Sequence, residues 1–233
     1  MFKKEGVPTP RKPFFRTTTS DSKAHLMETR KTGTTTLGIV AKDCIVLAAD
    51  KRVTAGGMIA NKNFTKIMPI NERMILTISG VVSDVQLLVK YIKAELKLKD
   101  FKTGMQSSVK SAANLLGSFN YSGLRYQGSI AGFLLGGVDH DGSHLFQITP
   151  DGVVEHIDEY EATGSGSIFA LPVIESQYKA GMSEAEACAL AKKAIGVAME
   201  RDTASGNGYD LFVINKSGVH HKETVRLKSS AAE

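Results

Sequence analysis

In the stretch KTGTTTLGIVAKDCIVLAAD, residues 31–50, a glycine and three threonines stand directly ahead of a strand pattern. Threonine favours strands, so β-propensity is one account of the run. The other is chemical: Gly33–Thr34 is a cleavage point, and Thr34 is made to become an N-terminus. A threonine hydroxyl is a poor nucleophile until a base takes its proton, and a free α-amino group on the same residue is such a base. That amine has an ordinary pKa of about 7.7–8.0, and a nearby cation lowers it further. None of this operates while Gly33 is attached, and glycine is sterically permissive at a tight, strained bond. Lys66 lies in an otherwise apolar run, NFTKIM (63–68), where an ammonium must be desolvated or paired. With Asp50 it reads equally as a structural ion pair.

Other chemistries find less support. His140 and His144 sit in HDGSH, which reads as a hairpin turn, and neither HExxH nor a Cys–His cluster occurs, so no metal or other cofactor is expected. Gly164-Ser165-Gly166-Ser167 precedes a helix pattern, but no GK[ST] follows and the spacing is neither GxGxxG nor GxSxG. Cys44 and Cys188 make no disulfide framework, which suits a reducing cytoplasm.

The chain has 233 residues and a net charge of +5. Residues 1–33 hold 8 basic and 3 acidic side chains, so the whole excess sits there, and the remaining 21 basic and 21 acidic residues cancel. This head is rich in Pro, Thr and Ser and has no sustained period, which reads as disorder or a removable segment. It lacks the apolar region of a secretory signal and only faintly resembles a transit peptide. The body offers no basic field to nucleic acid, and no apolar run approaches the roughly 20 residues that span a bilayer, so neither DNA nor membrane is an expected partner.

From Thr34 onward, hydrophobic periodicity predicts strands over 34–41, 44–50, 73–79, 129–138, 143–149, 153–162, 209–215 and 219–225. It predicts helices from Ser83-Asp84 through Lys99, and over 105–119, 168–179 and 184–201, the last opened by a capping box of Ser183 and Glu186. Runs such as IVLAAD and AGFLLGGV are too continuously apolar for a sheet with one wet face. Two antiparallel sheets packed together, with helices outside each, give an α+β fold of four layers, αββα, and residues 34–233 read as one domain.

TGTTTLGI, VLAADKRVT, NFTKI, TISGVVSD, ATGSGS and RDTASGNGYD together resemble the β-subunit of the proteasome core, of prokaryotic, archaeal type, over 34 to about 225. The resemblance implies an N-terminal nucleophile (Ntn) hydrolase fold and a threonine endopeptidase acting on unfolded proteins. On it, residues 1–33 are a propeptide removed by autocleavage at Gly33–Thr34. Thr34 is the nucleophile, Lys66 the cation beside it, Asp50 the carboxylate that holds the lysine and Arg52 the next member of the cluster. Gly80 supplies the oxyanion amide, and Ser165, Asp202 and Ser205 orient the threonine terminus. Read without the family, Asp202 and Ser205 could merely end a helix, and Ser165 could be a turn residue.

By the same resemblance the specificity pocket is expected at Val53, Phe64, Met68, Ile78, Val82 and Gln86, five of them apolar, which implies cleavage after large hydrophobic residues. Substrate backbone is expected near Thr54 and Gly80. The implied partners are proteasome α-subunits, other β-subunits in two stacked heptameric rings, and an ATPase that feeds unfolded chains. Three other readings stay open: a non-catalytic shell subunit that keeps its head, another Ntn amidohydrolase, and a head that binds nucleic acid.

Overall fold

A computed structural model describes residues 33–80, 82–126 and 131–227. The head of residues 1–32, residues 129 and 130 of one predicted strand, and the side chain of Val82 lie outside the described residues. In chain order the elements are β1 (Thr36–Val40), β2 (Cys44–Asp50), β3 (Val53–Ala55), β4 (Met58–Asn61), β5 (Ile67–Asn71), β6 (Met74–Gly80), α1 (Val82–Thr103) and α2 (Val109–Tyr126). They continue as β7 (Ala131–Asp139), β8 (Gly142–Ile148), β9 (Val154–Ile157), β10 (Tyr160–Thr163), α3 (Ser167–Glu175), α4 (Glu184–Arg201), β11 (Gly208–Asn215) and β12 (Gly218–Arg226).

Two five-stranded antiparallel sheets form, β10-β1-β2-β11-β12 and β5-β6-β7-β8-β9, with β3-β4 as a separate hairpin. The αββα expectation holds, and the apolar runs explain why. Along β2, Ile45, Leu47 and Ala49 enter the core between the sheets, with Ile75, Leu134, Leu145 and Ile214. The alternate residues Cys44, Val46 and Ala48 face a second core with α3 and α4. Phe133 and Leu135 of β7 likewise turn away from the inter-sheet core toward α1 and α2. A strand whose successive side chains all meet apolar layers must be apolar at every position. Ala187, Ala191, Ala194 and Ala198 let α4 pack closely on its sheet, and the Ser183–Glu186 capping box fixes its start.

The expected elements shift where tertiary contacts override local pattern. The strand predicted over 153–162 is two: β9 ends one sheet, the chain crosses at residues 158–159, and β10 joins the other sheet beside β1. The helix predicted over 105–119 begins at Val109, whose N–H donates to Asp139 Oδ2 (2.8 Å), while Ser107 is held by the Asp100 carboxylate. The helix predicted over 168–179 ends at Glu175, and α1 runs on to Thr103. Strands β3, β4 and β5 were not predicted: the first two have three and four residues, and β5 carries Pro69 beside a register shift.

Candidate active site

The β1-β2 hairpin builds the centre of the site. Pairing of Thr36 with Ala49 sets Thr35 against Asp50, and the Asp50 N–H donates to Thr35 O (3.1 Å). The Asp50 carboxylate is fully buried and collects four donors. Its Oδ1 accepts from Thr35 N (2.9 Å) and Lys66 Nζ (2.6 Å), and its Oδ2 from Arg52 N (2.9 Å) and Gly206 N (3.0 Å). Lys66 reaches it from the other sheet: the Ile78 N–H donates to Lys66 O (2.9 Å), just ahead of the Ile67–Thr77 pair. Burial pushes the Lys66 ammonium below its ordinary pKa of 10.5, and the Asp50 charge and hydrogen bond oppose that shift without cancelling it.

A second set of hydrogen bonds holds the Thr34 main chain. Thr34 N donates to Ser165 Oγ (3.2 Å), and Gly166 N donates to Thr34 O (3.2 Å). Asp202 Oδ2 accepts from the Ser165 hydroxyl (2.7 Å) and the Ser205 hydroxyl (2.6 Å). With its proton committed there, Ser205 Oγ accepts from Thr35 Oγ1 (2.7 Å). Asp202 caps the C-terminal end of α4, so the helix-ending reading and the organising reading describe the same residue.

A small recess lined by Gly33, Thr34, Val53, Phe64, Lys66, Ile78 and Gly80 opens over this frame. Seven of the sequence-predicted positions therefore meet in one place. Thr54 joins them through its hydroxyl, which accepts from Gly33 N (3.0 Å). Met68 packs with Phe64 in the apolar layer beneath and does not line the recess, and Gln86 is exposed on α1. The Arg52 guanidinium turns aside, donating to Asn207 Oδ1 (2.8 Å) and Thr203 O (2.8 Å). Among the described residues no histidine or cysteine lines the recess, and its functional side chains are the Thr34 hydroxyl and the Lys66 amine, with the Asp50 carboxylate bound to the lysine.

Sequence reasoning missed Thr35, whose amide and hydroxyl bridge the two networks, and the buried Lys51–Asp210 pair (2.6 Å) behind Asp50. The doubled threonine after Thr34 was the available signal for the first, and a lysine on the strand-like VLAADK run for the second. Close approach demands glycine at several positions, two of them beside Thr34: a Cβ on Gly33 would overlap the Ala204 methyl, and one on Gly164 would overlap the Thr34 carbonyl. Gly164 also has φ +91°, which side-chain-bearing residues avoid. Gly164→Ala is therefore expected to displace Thr34 and to destabilise the chain by about 1–3 kcal/mol, which a thermal melt checks.

The sequence profile of the proteasome subunit matches residues 30–214. The chain belongs to the proteasome subunit family. It is 43% identical over 193 residues to a proteasome subunit beta of Haloquadratum walsbyi, covering 83% of this chain and 77% of that one. A proteasome subunit beta of Methanobrevibacter smithii is 41% identical over 202 residues, or 86% of this chain and 96% of its own length. One from Haloferax volcanii is 41% identical over 189 residues, 81% of this chain and 76% of that one. These relatives place the chain with the archaeal-type β-subunits of the family, and the αββα layers are its Ntn fold. Membership makes it a subunit of the proteasome peptidase. No helix among the described residues is long and apolar enough to cross a membrane.

Proposed function

We propose that this chain is a catalytic β-subunit of the 20S core, a threonine endopeptidase that becomes active when residues 1–33 are cut away. The observation that carries the reading is the buried Lys66–Asp50 pair, which places an ammonium in the same recess as Thr34 and fixes it by a 2.6 Å bond. A structural pair alone needs no threonine beside it, and hydrophobic residues of equal volume would serve stability as well.

In the uncut chain the Thr34 nitrogen is an amide and cannot act as a base. Thr34 Oγ1 attacks the Gly33 carbonyl carbon, the Gly33–Thr34 C–N bond breaks, and the departing nitrogen takes the hydroxyl proton. Water then hydrolyses the resulting ester, leaving a Gly33 carboxylate and a free Thr34 amine. On a substrate the amine accepts the Thr34 hydroxyl proton while Oγ1 attacks the scissile carbonyl. The proton passes to the leaving amine, and water releases the acyl group from Thr34. Lys66 stabilises the developing charge, and the Gly80 amide is assigned to the oxyanion. Ser165, Asp202 and Ser205 hold the terminus in register.

Residues 34–233 form the Ntn-hydrolase domain in this reading, and the partners are α-subunits and further β-subunits in two stacked heptameric rings within the cytoplasm. An ATPase delivers unfolded chains. Intact mass of the protein after assembly with its α-subunit is the test: loss of residues 1–33 with Thr34 as the new terminus is expected. A head retained in assembled rings would leave a shell subunit instead.

Val53, Phe64 and Ile78 make the recess wall apolar. Peptides ending in Leu, Tyr or Phe at the cut should therefore be cleaved at least ~10-fold faster than those with Glu or Arg. A fluorogenic panel with the reverse order overturns the assignment.

A further inference from the structure

Far from the recess, three side chains fall into line on one face of a sheet. Phe146 of β8 stands opposite His156 of β9, and His144, two residues earlier on β8, shares that face. The His144 and His156 rings meet edge to face, with centroids 5.6 Å apart, and Phe146 walls the pair at 5.0 Å from His156. His144 Nε2 lies 3.2 Å from Asp139 Oδ1, and His156 Nδ1 lies 3.0 Å from Asp158 Oδ1. Asp139 is itself fixed by the amides of Val109 (2.8 Å) and Asp141 (3.0 Å).

These partners dictate the tautomers. A carboxylate only accepts, so each outer ring nitrogen carries its proton, and in a neutral imidazole the other nitrogen is then a bare lone pair. With both rings neutral, His144 Nδ1 and His156 Nε2 are the bare nitrogens, and they lie 3.4 Å apart. That is longer than a normal hydrogen bond, and two lone pairs repel unless a cation, a shared proton or a metal ion, lies between them. We propose that His144 and His156 bind a zinc ion that staples β8 to the edge strand β9.

The spacing selects the metal. Zinc sits about 2.0–2.1 Å from imidazole nitrogen, and two such bonds to nitrogens 3.4 Å apart enclose about 112°, close to tetrahedral. A square-planar copper(II) ion would need the nitrogens near 2.9 Å. Each ring already has the carboxylate that zinc-bound histidines use to fix their orientation. Two coordination positions remain for solvent. The site lies four to six residues along β7 from Ala131, the partner of Gly80, or about 13–20 Å along the strand, so its ion takes no part at Thr34. Its place is structural: β9 has four residues, ends its sheet, and leads directly into the crossing to β10.

The untagged protein, stripped with EDTA and equilibrated with zinc sulfate, should hold one zinc per chain by elemental analysis. His144→Ala and His156→Ala should lose that ion while keeping peptide hydrolysis. Asp139→Asn and the exposed Asp158→Asn should weaken binding ~10- to 100-fold, and the second cannot fail merely by unfolding the chain. His140, which pairs with Asp141 on the surface, serves as control, and His140→Ala should bind as the parent does. The proposal is overturned if the parent takes up no stoichiometric zinc, if His156→Ala binds equally, or if His140→Ala loses the ion.

Discussion

Thr34→Ala is expected to leave residues 1–33 attached and to reduce peptide hydrolysis on the order of 10⁶-fold, to assay background. In the proposed mechanism the two losses share one cause, the same hydroxyl oxygen attacking the Gly33 carbonyl in maturation and the substrate carbonyl afterward. On the same proposal a retained head would by itself abolish activity, since the amine assigned as base is then an amide. Thr34→Ser separates the effects: it keeps the oxygen, should release the head, and should retain measurable turnover. Intact mass and a fluorogenic assay on the same samples read both. A processed Thr34→Ala chain would require another nucleophile. The fold should survive the change, because Thr34 is held through its main-chain N–H and C=O by Ser165 and Gly166.

Lys66→Met is expected to cost at least ~10³-fold in kcat/KM and also to destabilise the chain. The methionine fills the same volume but leaves the fully buried Asp50 with only its three backbone donors, a change worth about 3 kcal/mol. Stability and catalysis can be pulled apart with Lys66→Met/Asp50→Asn, which removes the unpaired charge. Most of the thermal loss should return while activity stays low. The pH profile adds a readout that packing would not move. The proposed mechanism requires the Thr34 amine neutral and Lys66 charged. It should therefore rise through an amine pKa below about 7.7 and fall again below pH 10.5, because burial has lowered the lysine. Without the cation the acid limb should move upward in pH.

Much of this site was legible because its parts are chemically conspicuous. A lysine among Phe64, Ile67 and Met68 has no place in a core unless paired, and an unbroken apolar run such as IVLAA at 45–49 can only be a strand covered on both faces. The features that escaped depend on contacts made across long stretches of chain. The break at residues 158–159 leaves no mark in the apolar pattern, because β9 and β10 each find cover on a different sheet. The start of α2 differs from the pattern because an aspartate 30 residues away accepts its first N–H. Likewise Thr35 looks like strand filler until register sets it against Asp50. The histidine pair is invisible in HDGSH alone, since its second ring lies 12 residues on and is delivered by β8-β9 pairing.

The placement of β2 between β1 and β11 sets a condition on how the protein is made. β2 is buried at all seven positions, yet one of its two hydrogen-bonding edges stays bare until Gly208–Asn215 has left the ribosome. At 5–20 residues per second, the roughly 160 residues between them take about 8–30 s to synthesise. Throughout that interval the nascent chain carries an apolar strand with an open edge, a template for pairing with other chains. Translation speed and chaperone cover should therefore govern the yield of folded subunit more strongly than the final stability does, and slower elongation without added chaperone should increase aggregation.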